Sequence, residues 1–122
     1  MQLNADTGAN YNGILSRQAT GSATINETIA GTSAIIGQLS AATAPSGASG
    51  ALQAFIANYT STVFQKAGYF DAGYNIGTTT GSYLRSTGSI NWTGTAAITS
   101  VKIFPTAGNF VDTSVVSLYL LP

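Results

Sequence analysis

Short apolar and hydroxyl-bearing runs, each closed by Gly, Asn, Pro or Ser about every ten residues, most narrow what this chain can fold into. They cover residues 22–30, 32–39, 52–59, 61–67, 82–87, 97–104 and 114–121. Evenly spaced runs of strand length with turn residues between them predict an all-β sandwich or barrel. At 122 residues there is room for a single domain with one core. Helical spacing shows only over residues 11–19 and 49–57, both short and interrupted or preceded by Gly.

The C-terminal third carries the clearest alternation. Val101 and Ile103 project to one face of a predicted strand over 97–104, Ser100 and Lys102 to the other. Pro105, Thr106, Ala107, Gly108 and Asn109 then predict a turn. In a predicted last strand over 114–121, Val116, Leu118 and Leu120 share one face, and Val115, Ser117, Tyr119 and Leu121 the other. A strand apolar on both faces sits inside a sandwich or under a neighbouring subunit, which makes Tyr119, Leu120 and Leu121 candidate subunit or partner contacts. Residues 41–50 (AATAPSGASG) predict a flexible small-residue loop, and residues 77–81 (GTTTG) a second loop.

Charge is scarce, at 7% of residues, and the four acids (Asp6, Glu27, Asp71, Asp112) cancel the four bases (Arg17, Lys66, Arg85, Lys102). No basic face is left to neutralise phosphates, so nucleic-acid binding is not expected. Thr and Ser fill about a quarter of the chain and suit strands. A neutral surface also lacks the repulsion that keeps small proteins apart, which points to life in an assembly. Residues 28–65 carry no charge, but Pro45, Gly47, Gly50 and Asn58 break them, so no membrane span is expected. Met1, Gln2, Leu3, Asn4 and Asp6 do not begin a signal peptide, and the sequons at Asn26, Asn58 and Asn91 carry little weight in so Asn- and Thr-rich a chain.

Histidine and cysteine are both absent. That excludes disulfides, thiolate or imidazole catalysis, and zinc sites built on either residue. The carboxylates are scattered, and neither Lys66 nor Lys102 lies in a Ser-Lys nucleophile pattern. No catalytic residue, metal or cofactor is therefore expected. Asn4, Asp6, Asn10 and Asn12 resemble the start of a calcium loop but lack its closing Glu, so Asx turns are the expected reading. Tyr69, Phe70, Tyr74 and Tyr83 cluster near Gly-rich turns, with Trp92 downstream. Such rings either stack on sugars or fill the core and subunit seams.

Several motifs carry a family resemblance. Gly88-Ser89-Ile90-Asn91-Trp92-Thr93-Gly94-Thr95-Ala96-Ala97-Ile98-Thr99-Ser100-Val101, then Gly108-Asn109-Phe110, then SVVSLY from Ser114 to Tyr119, resemble a module of tailed-bacteriophage virion proteins. Asn4-Ala5-Asp6-Thr7-Gly8-Ala9-Asn10-Tyr11 is similar to its opening, and Ile56-Ala57-Asn58-Tyr59 followed by Lys66 to a middle motif. The pattern departs at Thr113 and Leu120, where the family has Gly. The resemblance implies a jelly-roll-like β-sandwich, commonly trimeric, on the phage surface. It carries over no catalytic residue.

Two functions fit. One is a capsid decoration (cement) protein, a homotrimer bound to the major capsid protein on the outside of the head after synthesis in the host cytoplasm. The other is a tail-fibre or receptor-binding module whose aromatics contact host-surface glycan. An enzyme is not expected.

Overall fold

The computed structural model describes residues 1–19, 22–40, 43–77 and 83–121. Its strands are β1 (Gln2–Leu3), β2 (Tyr11–Ala19), β3 (Ser22–Gly31), β4 (Gly50–Ile56), β5 (Lys66–Asn75), β6 (Tyr83–Trp92) and β7 (Val101–Lys102). No helix occurs among the described residues. The large sheet is antiparallel in the order β3-β2-β6-β5-β4, and β1 pairs with β7 in a second, two-stranded sheet. The two sheets pack as one small β-sandwich domain.

Alternation sets the two faces of the large sheet. In β5, Lys66, Phe70 and Ala72 are buried while Ala67, Tyr69, Asp71 and Gly73 face solvent. In β6, Leu84, Ser86, Ile90 and Trp92 are buried and Tyr83, Arg85 and Ser89 are exposed. The inner side chains meet Met1, Leu3, Ala34 and Ile36, with Ile98 and Val101 packed against the cluster. Gly88 lies directly between Leu15 on β2 and Phe70 on β5. A Cβ there would run into the Ile14 carbonyl and stand 2.6 Å from the Phe70 ring, so the strands can close over that ring only at a glycine.

Residues 11–19, spaced for a helix, form β2, and residues 49–57 contribute β4. Tyr11 and Leu15, four apart and both buried, satisfy one helical turn and two strand repeats equally well. Cross-strand pairing to β3 and β6 decides for the strand.

The expected strand over 32–39 is extended but unpaired in either sheet. Ala34 and Ile36 are buried and Ile35 is exposed, the alternation of a strand, yet the segment lies across the inner face as a cover. It is tied by the reciprocal bonds of Met1 and Ala34 and by the Gln38 amide donating to Ser86 Oγ at 3.0 Å. Residues 61–65 are not a strand either. The Ser61 hydroxyl accepts from the amides of Val63 and Phe64, and that turn delivers the chain into β5.

Within 97–104 only Val101 and Lys102 pair. Gly108, at φ +70°, sits in the expected turn. The expected strand over 114–121 is not formed: no sheet contains these residues, and all are exposed. A run of strand-forming residues apolar on both faces marked a segment able to be a strand, but no described edge of its own fold pairs with it. Residues 43–49 form a loop with a turn closed by the Ala48 amide on the Pro45 carbonyl, and Gly50 opens β4. Positions 41 and 42 of that loop, 78–81 of the GTTTG loop and 82 of the expected 82–87 strand lie outside the described residues.

Candidate functional site

Three of the motifs that carry the resemblance, the opening residues 4–11, the middle residues 56–66 and the run from Trp92 to Val101, are bonded to one another, whereas Gly108-Asn109-Phe110 and Ser114–Tyr119 lie outside that cluster. Asn4, in the left-handed region at φ 53°, donates from Nδ2 to the Ala97 carbonyl and accepts at Oδ1 from the amides of Thr99 and Ser100. Asp6 Oδ1 accepts from the Gly8 amide, an Asx turn, while Oδ2 accepts from Nδ2 of the Asn10 side chain and, at 2.6 Å, the Trp92 indole. These donors hold the Asp6 carboxyl below its ordinary range, the indole contributing most. Tyr11 is buried; its hydroxyl donates to the Leu3 and Asp6 carbonyls and accepts from the Leu3 amide, and burial pushes its pKa up. The opening motif is thereby clasped to residues more than eighty positions away.

Lys66 completes the clasp. It is 1% exposed, and its ammonium donates to the carbonyls of Ser61 (2.9 Å), Phe64 (2.6 Å) and Thr95 (3.0 Å). The Ile98 amide donates to the Tyr59 carbonyl beside it. A fixed cation held by neutral acceptors ties three segments together and presents no group to a substrate. Nothing in the sequence marks Lys66 as buried, because all three partners are backbone atoms.

The aromatic residues divide. Phe70 and Trp92, candidates for sugar stacking, are 2% and 5% exposed and belong to the core, so neither offers a ring face outward. Tyr74 is half-buried on the inner face. Tyr69 and Tyr83 do face solvent, at 56% and 61% exposure. They stand about 20 Å apart along the sheet, six residues of strand, and cannot hold one sugar together. Tyr69 instead pairs with Phe55 on β4, ring centroids 5.5 Å apart. That partner emerges only with the β4–β5 register. Between Tyr69 and Tyr83 lies a bidentate ion pair, Arg85 to Asp71 at 3.0 and 2.6 Å, which lowers the Asp71 pKa and raises that of Arg85.

The pocket between β2 and residues 33–35 holds about 10 Å³, room for one water at most. Among the described residues no three His, Cys, Asp or Glu side chains gather as a metal site, and no helix is long and apolar enough to cross a membrane.

The largest unexplained surface is the C-terminal segment. Tyr119, Leu120 and Leu121, the candidate contact residues, are 80%, 68% and 61% exposed, and Val115 reaches 87%. Neither a protein-family model nor a curated protein nor a solved structure matches the chain.

Proposed function

We propose that this chain is a structural virion protein: a capsid decoration protein, with a jelly-roll-like sandwich, that binds the outside of a bacteriophage head as a homotrimer and stabilises the shell. The observation that carries the reading is the exposed apolar run over 114–121, a contact surface without a contact inside its own fold. Further support comes from the motif residues themselves. Asn4, Asp6, Tyr11, Lys66 and Trp92 spend their polar groups on holding the domain together, as a scaffold requires. The trimer buries its apolar segments between subunits and bridges capsomers through neutral polar contacts, for which an interface near ~1,600 Å² suffices.

Adding the purified protein to heads that lack it tests the reading. Co-sedimentation that saturates at hundreds of copies per head, together with a higher temperature of head disruption, is expected. No binding to heads contradicts it.

The tail-fibre or receptor-binding reading keeps one observation, the outward Phe55–Tyr69 pair beside the Asp71–Arg85 bridge. Glycan-array binding that Tyr69→Ala abolishes, with a handful of copies on the tail, would favour it.

A further inference from the structure

Among the described residues two features of the fold lack strand partners, and each is what the other needs. Residues 114–121 run free of both sheets, with Val115, Val116, Leu118 and Tyr119 between 62% and 87% exposed. β3 is a ten-residue edge strand, hydrogen-bonded to β2 on one side only and exposed along nearly its whole length. Natural edges of that length are guarded by Lys, Pro or a covering segment. Within β3 the one charge is Glu27 and there is no Pro, while Ile25 and Ile29 are 76% and 72% exposed.

We propose that residues 114–121 of one copy add as a strand to the β3 edge of a second copy, and that this exchange closes the oligomer. The inference deepens the self-assembly part of the function proposed above and rests on it. Strand addition satisfies the unpaired backbone row on both partners at once. On one face the side chains of the arm lie alongside Ile25 and Ile29, which flank Glu27.

Area argues for a second copy as the occupant. Burying five aliphatic side chains at about 60–120 Å² each and one tyrosine at about 150 Å² removes on the order of 600 Å² per arm. One interface then counts about 600 Å² of arm and a comparable area of the β3 edge it covers, together on the order of 1,200 Å², within the range of a specific, stable interface. Donor and acceptor are different surfaces of one chain, so a head-to-tail exchange among three copies is heterologous, and it closes as a ring when its rotation brings the third arm to the first edge. The arm carries no charge, and no net charge opposes the approach. β4, the opposite edge, has seven residues, with Leu52 and Ile56 packed inward, and serves as the comparison.

The chain contains no cysteine, so introduced thiols report cleanly. Differently tagged Val116→Cys and Thr24→Cys chains are co-expressed, purified and treated with a short bismaleimide, with light scattering on the same sample. The expected result is an oligomer in which position 116 of one tag links to position 24 of the other, at least tenfold more than to Gln53→Cys on β4. The pair Ser117→Cys and Asn26→Cys repeats the test should the first fail to fold. An oligomer that links 116 to position 53, or to neither edge, overturns the arm's placement and leaves self-assembly standing. A link within one chain carrying both Thr24→Cys and Val116→Cys, without links between chains, overturns the exchange. A monomer by light scattering overturns both.

Discussion

An ammonium group enclosed by three carbonyls is held by charge-assisted hydrogen bonds, each stronger than its neutral counterpart. Replacing Lys66 by Met keeps the stem and leaves the carbonyls of Ser61, Phe64 and Thr95 facing an apolar group. The expected loss is about 3 kcal/mol, read as a lower urea midpoint; an unchanged midpoint contradicts the clasp. Asp6 has a consequence in pH. Its folded pKa lies below the unfolded one, so the unfolded chain binds more protons in that window. Its stabilisation is complete above the ordinary carboxylate range and is lost as pH falls through the lowered folded value. Urea midpoints measured from neutral to strongly acidic pH should therefore drop at the acid end, and Asp6→Asn should flatten that drop. An equal drop in both proteins contradicts it. That Asp6 makes an Asx turn was legible in the sequence. Its bond to Trp92, eighty-six residues on, was not, because no local pattern encodes a partner that distant.

Glycines punctuate this chain both between strands and inside them, and that double use obscured some elements. β5 carries Gly68 and Gly73 within it, so its aromatic residues read as neighbours of turns rather than as an alternating strand. Gly88 is the case where the side chain must be absent. Gly88→Ala places a Cβ against the Ile14 carbonyl and the Phe70 ring and should lower stability by about 1–3 kcal/mol. Gly73→Ala, whose Cβ would have only the Leu84 carbonyl at 3.9 Å, should stay within about 0.5 kcal/mol of the parent. Thermal melts compare the two, and equal shifts contradict the packing described. The hairpin strand β3 was legible as a run of strand-forming residues closed by Gly31, and the strand at Val101 from the alternation of Val101 and Ile103 with Ser100 and Lys102. The cover over 32–39 shows the same period, and the unpaired run over 114–121 is apolar on both faces. Period reports which side chains seek burial, not whether a neighbouring strand exists to bond with.

The whole molecule joins a small sandwich to an exposed apolar run over 114–121 that neither sheet includes. With the apolar run hidden between copies, self-association should be complete at micromolar concentration in light scattering coupled to size exclusion. Leu120→Asp, which places a charge in that seam, should shift the population to monomer without lowering the thermal midpoint of the domain. A parent protein that stays monomeric, or a variant that assembles equally well, contradicts this. A decoration protein also occupies its shell in symmetry-set numbers, whereas a fibre tip is present in a few copies. Cryo-electron microscopy of virions whose genome encodes this chain tests the central claim most directly. The account predicts the sandwich as repeated density on the outer face of the head, three copies to a site; density confined to the tail, or none on the particle, would contradict it.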